Sequence, residues 1–332
     1  MNCSDLKLPR RQLLRLAAGA AALPALARIA WAQAYPSRPI RLILGFAAGG
    51  SADIVARLIA QFVSDRLGQP VIVENRTGAS SNLAGEAVAR AAPDGTTLLF
   101  VTTVNAINAT FFDNLKFDLK RDFAPVSGVT RVPNVLEINP SVPADNVAEF
   151  IAYAKANPGK ISFGIQGLGG EMHLSAELFK KTAGIGVTLV PYNAAAQAIV
   201  DLLADRLDAM FLVIPPIKQH IEAGKLLALA TLSAQRVSVM PNIPTMTELG
   251  RPEMTNAIWF GYLAPAKTSD AIVNKLARAF AQMQSDQALT KRVTEMGAEL
   301  NIVGPSEFGK IIERDRRAYG KIVAEGNLAT QN

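Results

Sequence analysis

The sequence predicts an α/β protein built as two doubly wound lobes, and three observations carry that prediction. Strand-like and helix-like segments alternate from residue 40 to residue 231, the pattern of parallel sheets covered by helices on both faces. The series divides around Val132-Pro133 to Pro140 and again around Ile258–Pro265, at apolar, extended stretches flanked by prolines. Each series also carries a glycine-rich loop directly after a strand.

The elements follow in order. Ile40–Phe46 has strand composition and runs into Ala47-Ala48-Gly49-Gly50-Ser51-Ala52-Asp53. Residues Ile54–Leu67 show helical spacing, with Ile54, Leu58, Phe62 and Val63 on one side. Strand Val71–Glu74, helix Ala84–Ala92 and strand Thr97–Thr102 complete the first series. The second runs through helix Val147–Ala156, strand Ile161–Gly164, helix Met172–Thr182, strand Gly186–Val190, helix Ala195–Leu203 and strands Asp208–Val213 and Leu226–Thr231. From Asp270 the tail reads as three helical pieces, broken near Gln284-Ser285-Asp286 and at Gly304-Pro305. Arg314, Arg316 and Arg317 alternate there with Glu313 and Asp315 and read as a solvated helix face.

At 332 residues, the chain has room for about two domains. The expected division is 35–133 with 259–332 as one lobe and 134–258 as the other, the chain crossing between them twice. Apolar residues make up 49% and charged residues 19%, enough for an ordinary core and against disorder.

The net charge of +6 suggests a nucleic-acid partner, but its distribution argues otherwise. Residues 1–34 hold five of the 34 basic side chains and one of the 28 acidic ones, so the remainder falls to +2. No nucleic-acid partner is expected. Within that segment Arg10-Arg11 precedes Gln12-Leu13-Leu14-Arg15 and the uncharged run 16–27. Those 12 residues are too few to span a bilayer, which takes about 20, and suit a signal-peptide core of about 7–15. Ala30-Trp31-Ala32 and Ala32-Gln33-Ala34 both offer cleavage, and Tyr35 is the preferred mature start. The paired arginines match a twin-arginine export signal except that Pro9 replaces the usual Ser or Thr; an ordinary secretory leader is the alternative. The one cysteine, Cys3, lies in the leader, so the mature chain has no disulfide or thiolate chemistry.

Catalytic equipment is sparse. Histidine occurs only at His173 and His220. Gly49-Gly50-Ser51-Ala52-Asp53 fails the nucleophile-elbow pattern because Asp53 stands where glycine is needed. No zinc-protease or P-loop motif occurs, and G-x-x-x-G-G at 45–50 departs from the dinucleotide fingerprint. No cofactor, metal or catalytic residue is assigned, and the protein is read as not an enzyme; an exported hydrolase using Ser51 and His173 is the remote alternative. What the loops can do is bind an anion, since glycine at a helix start lets backbone N–H groups and the helix dipole meet a carboxylate. Two loops qualify, Gly45–Ser51 and Gly164–Gly170.

Several segments then become recognisable in order: Tyr35–Ile40, Gly45–Asp53, Val73–Ala79, Ala91–Leu99, Val190-Pro191-Tyr192 and Pro241–Thr245. This set resembles the periplasmic solute-binding proteins of tripartite tricarboxylate transporters, the Bug or TctC type. The resemblance implies a type II Venus flytrap, a monomer, closing on a small carboxylate in the periplasm and docking on membrane components of a transporter, or on a signalling partner if it is a sensor. Carried over, the binding residues are Phe46, Ala47, Ala48, Gly49, Gly50, Ser51 and Asp53; Thr102, Thr103, Asn105 and Asn108; Gln166, Gly167, Leu168, Gly169, Gly170 and His173; and Tyr192, Asn193, Ala195 and Leu212. For His173 the alternative is a helix-start histidine bonded to a loop carbonyl.

The departures point to the ligand. Asn105 stands where the family usually has His, Ile165 and Gly170 where it has hydroxyl residues, Leu212 where it commonly has an acid, and Ala194-Ala195-Ala196 where it has smaller positions. A polar ligand group buried without its partner costs about 1–3 kcal/mol, which selects a less polar carboxylate, an aromatic acid being one candidate. Glu171 beside the loop would repel an anion unless it points away.

Overall fold

The computed structural model describes residues 35–112, 114–166, 170–192 and 194–325, with Ser51 and Glu325 described by backbone alone. The leader and its cleavage site lie outside the described residues. From Arg38 the chain forms β1 (Ile40–Leu44), α1 (Ser51–Leu67), β2 (Val71–Asn75), α2 (Asn82–Ala89), β3 (Thr97–Thr102) and α3 (Thr103–Phe111), then the long strand β4 (Phe123–Ile138). Next come α4 (Val147–Ala156), β5 (Ser162–Gln166), α5 (Glu171–Ala183), β6 (Thr188–Tyr192), α6 (Ala195–Leu203), β7 (Ala209–Val213), α7 (Lys218–Glu222) and β8 (Leu227–Thr231). The last run is β9 (Ala257–Pro265), α8 (Asp270–Ala281), α9 (Gln287–Glu295), β10 (Glu299–Val303) and α10 (Pro305–Glu325).

β4 organises the sheet. Its residues Phe123–Pro133 pair antiparallel with β9, and β10 joins the same stretch. Beyond Pro133 the partners change: Asn134–Ile138 pair antiparallel with β7, and Val135–Ile138 with β8. On the first side β1 lies between β2 and β3, both parallel to it, and β3 meets β9. On the second, β5 lies between β6 and β7, also parallel. The orders β2-β1-β3 and β6-β5-β7 each reverse direction once. Such reversals open crevices at strand carboxyl ends, here beside the loops after β1 and β5.

Side-chain alternation along β4 explains why it is buried on both faces. Leu136 and Ile138 enter a cluster with Phe150, Phe163, Phe179 and Phe211, while Val135 enters another with Leu202, Leu207, Met210 and Leu212. A third cluster packs Ile43, Leu99, Val101 and Trp259 with Phe308, Ile311 and Ile312 of α10. Each fully buried large apolar side chain contributes about 1.5–3 kcal/mol.

Two expectations are corrected, and two helices appear where no element was assigned. The buried stripe of α1 is Val55, Ala56, Ile59, Ala60, Phe62 and Val63, whereas Ile54 is 48% exposed; the helical period holds, but the buried face follows the three-and-four spacing from Ala52 through Val55, Ala56, Ile59, Ala60 and Val63, which leaves Ile54 outside it. Residues 103–111, to which the strand–helix alternation assigns no element, are α3: Thr102 caps it by accepting from Val104 N at 3.2 Å, and Asn105 Oδ1 accepts from Thr102 N at 3.0 Å. The short helix α7 had no recognisable signal. In the tail, 299–303 is a strand, fixed by pairing with β4 across more than 160 positions, which no local pattern records. The arginine cluster is as expected: Arg316 and Arg317 both bond Glu313, and Arg314 bonds Asp315.

Candidate functional site

β1 delivers the first loop to the start of α1. Gly50 is the cap residue, in extended backbone, and no side chain caps the helix. Its first-turn N–H groups therefore lack a side-chain acceptor, and the positive end of the dipole faces the loop. Phe46 is half-buried, while Ala47, Ala48, Gly49 and Gly50 are exposed. Gly49 adopts φ +81°, open to glycine at no cost. Gly45 is needed for another reason: a Cβ there would lie 2.0 Å from Ser81 Oγ.

Asp53, expected among the ligand contacts, braces the loop instead. Its Oδ2 accepts from Gly49 N at 3.0 Å and Arg57 Nε at 2.9 Å, and its Oδ1 from Asn75 Nδ2 at 2.9 Å. Asn75 Nδ2 also reaches Phe46 O at 2.9 Å. Arg57 first, then the Gly49 and Asn75 bonds, hold the buried carboxyl down to about 2 despite desolvation. An acid so engaged fixes loop shape and offers nothing to an anion.

The second loop repeats the arrangement. Gln166 ends β5 exposed, and Gly170 is the extended cap of α5, again without a side-chain cap. Gly167, Leu168 and Gly169 lie outside the described residues, as does Asn193. His173 is buried in the first turn, its Nε2 3.9 Å from Glu177 Oε1, and burial pushes its pKa down. The third start is α6, capped by Ala194 with no side-chain bond and with Ala195 half-buried. Tyr192, just before it, spends its hydroxyl on Asp201 Oδ2 at 2.9 Å.

The remaining candidates turn inward. Thr103 Oγ1 accepts from Trp259 N at 3.0 Å, and Thr103 and Asn105 are fully buried. Asn105 Nδ2 contacts Ser81 Oγ at 3.3 Å, and Asn108 Nδ2 donates to Ser80 O at 2.6 Å and Asn82 Oδ1 at 2.8 Å. These asparagines anchor the turn after β2, where Ala79, Ser80 and Ser81 are successively left-handed, with φ of 44°, 52° and 75°. Non-glycine residues in that region are strained, and such strain concentrates at functional sites. The sequence signal for this turn is Gly78 and the small residues after it, which match no binding motif. Leu212 is fully buried in the cluster around Met210 and serves packing.

Three helices thus begin without side-chain caps at the ends of β1, β5 and β6, two of them at the topological reversals. Such an arrangement can hold a carboxylate through backbone N–H groups. No group of three metal-ligating side chains occurs among the described residues. A separate cavity of about 740 Å³, lined by Arg131, Trp259, Glu299, Arg314 and Asp315 among others, includes none of these loops.

Comparison with known proteins identifies the family of the chain. Residues 55–328 match the model of the tripartite tricarboxylate transporter family receptor. Protein BugT of Bordetella pertussis is 36% identical over 296 residues, 89% of this chain and 91% of that protein. Among solved structures, Rpa4515 of R. palustris with adipate is 34% identical with a TM-score of 0.75, over 89% of this chain and 99% of that one. MatC of Rhodopseudomonas palustris with bound malate is 28% identical with a TM-score of 0.72, over 87% and 100%.

Proposed function

Because the chain belongs to the tripartite tricarboxylate transporter receptor family, whose members are solute-binding proteins, we propose that it is exported to the periplasm and captures a small carboxylate for a transporter of that type. The observation that carries this reading is the trio of helix starts capped only by Gly50, Gly170 and Ala194. The residues from Phe46 to Ser51, Gln166 to Gly170 and Asn193 to Ala195 would meet the carboxylate, with His173 beside them. The two lobes, 35–133 with 259–332 and 134–258, would close about β4 and β9, where β4 changes partners at Pro133 and Asn134.

A ligand that lacks hydroxyl and amino groups fits the departures at Asn105, Ile165 and Leu212, which supply no polar partner to a ligand side group. Adipate, the molecule with the R. palustris relative, has that character. Each hydrogen bond to a charged carboxylate is worth about 1.5–3 kcal/mol, so three or four, less the cost of association, give micromolar affinity near −8 kcal/mol.

A thermal-shift screen of the processed protein against aliphatic, hydroxylated, amino and aromatic carboxylates tests the proposal. A ligand at about 100 times its Kd adds roughly 2.7 kcal/mol. A hit recovered chemically unchanged supports capture; turnover of the hit, or silence across the panel, overturns it.

A further inference from the structure

Glu171 follows the Gly170 cap, and its carboxyl leaves the loop for the interior, where the residue is 5% exposed. Oε1 accepts three hydrogen bonds: from Asn134 Nδ2 of β4 at 2.6 Å, from Asn256 Nδ2 ahead of β9 at 2.7 Å, and from Ser175 Oγ at 3.2 Å. Two enclosed atoms of this cluster have no hydrogen-bond partner among the described residues, Glu171 Oε2 and Asn134 Oδ1. With Glu171 ionised both are acceptors, so both stay unsatisfied at the cost of buried polar groups. An amide and a carboxylic acid can instead close a ring of two hydrogen bonds, N–H to O and O–H to O. One bond of that ring is already present, and the two idle oxygens are the atoms of the other.

We propose that Glu171 is held as the neutral acid, its Oε2–H donating to Asn134 Oδ1 while Asn134 Nδ2 donates back to Oε1, and that this proton keeps negative charge off the carboxylate-binding loop. The second half rests on the function proposed above; the protonation itself does not. The proton comes from solvent, and no covalent bond between heavy atoms changes.

The surroundings favour the acid. Burial raises the Glu171 pKa to about 7, against the lowering effect of the Asn134 and Ser175 bonds, and no cation is among the groups that shift it. On its own helix lie His173, which burial drives towards the neutral form, and Glu177, with Lys180 and Lys181 in the last turn, where Lys180 pairs with Glu177 at 3.0 Å. From α10, Tyr319 faces the cluster through Asn256, its hydroxyl held protonated by burial first and by Glu171 and Asp315 next, with Arg314 acting the other way. Asn134 and Asn256 are uncharged, β4 carries Arg131 and the fully buried Glu137 on either side of Asn134, and α3, β5 and β7 carry no titratable side chain. The turn at 252–254 brings only the exposed Glu253, and Arg251 bonds the far end of α5 at Thr182 O.

Ligand capture then takes up or retains a proton, so carboxylate affinity weakens by up to tenfold per pH unit as pH rises through the Glu171 titration. Glu171→Gln supplies the same ring with an amide that has no proton to lose, and flattens the slope.

Infrared spectra of the ligand-free protein across about pH 5 to 9, for wild type and Glu171→Gln, decide the first half. The expected result is a protonated-carboxyl band in wild type that disappears on crossing about pH 7 and is missing from the variant. Glu137, fully buried and raised well above its ordinary value, contributes equally to both proteins and cancels. A wild type with no such titrating band overturns the proposal, and that measurement stands even if the variant does not fold. Calorimetric titration with adipate at several pH values tests the second half: equal slopes in wild type and variant overturn it. A titrating band together with no binding of any carboxylate would sink the proposed function while leaving the acid–amide ring intact.

Discussion

Tyr319 Oη donates to Asn256 Oδ1 at 2.9 Å, tying the C-terminal helix α10 to the segment that leads into β9, 63 positions earlier. Asn256 passes the connection on, through its Nδ2, to Glu171 Oε1 and Ser175 Oγ on α5. One helix from each side of the β4 crossover is thereby joined at the strand that returns between them.

Tyr319→Phe removes the donor from that link and leaves the ring packed as before. The expected loss is about 1 kcal/mol, the usual net worth of one internal hydrogen bond. Urea unfolding of the two proteins checks it; an unchanged midpoint would mean that the link adds nothing to stability.

Asp53 gives a prediction in acid. Its pKa of about 2 lies below the ordinary 3.8, so its stabilising contribution is present above about pH 4 and is lost as pH falls towards 2. Because Arg57 is half exposed and its attraction screened, the contribution is about 1–2 kcal/mol. The stability gap between wild type and Asp53→Asn, measured by denaturant at several pH values, should shrink across that window. A gap that stays constant down to pH 2 contradicts the brace.

Gly45 and Gly50 separate fold from site. A methyl group at Gly45 meets Ser81 Oγ at 2.0 Å and the Ser81 backbone at 2.6 Å, so Gly45→Ala should cost about 1–3 kcal/mol through displacement of the strained turn. At Gly50 the nearest atom is Ala47 O at 3.5 Å, an ordinary contact, and the backbone is extended. Gly50→Ala should therefore melt within a few degrees of wild type yet bind carboxylate more weakly, read by calorimetry.

Ligand preference follows from the inward turn of Asn105 and the burial of Leu212. With Asn105 committed to Thr102 N and Ser81, and Leu212 in the core, a ligand hydroxyl finds no partner from either. Adipate should outbind malate, by about fivefold for one unsatisfied hydroxyl at the lower end of its cost. Competition between the two acids checks the order, and a malate preference would show that another residue serves the hydroxyl.

The alternation of strands and helices, the helices of the tail and the glycine-rich starts of α1 and α5 were legible because each is a local property: hydrophobic period, turn chemistry and glycine at a helix start lie within a few residues of one another. The family resemblance was legible for the same reason, from short motifs in order. Tertiary structure decided what those residues face. Asp53 turned from ligand contact to loop brace because Arg57 and Asn75 reach it. Asn105 turned inward because Ser81 lies beneath it, and 299–303 became a strand because β4 offered an edge. The Glu171 cluster assembles groups from positions 134, 171, 175 and 256, with Tyr319 bonded to Asn256. Hydrogen bonds between residues so far apart leave no periodicity in the sequence, since their geometry exists only once the sheet has brought the strands together.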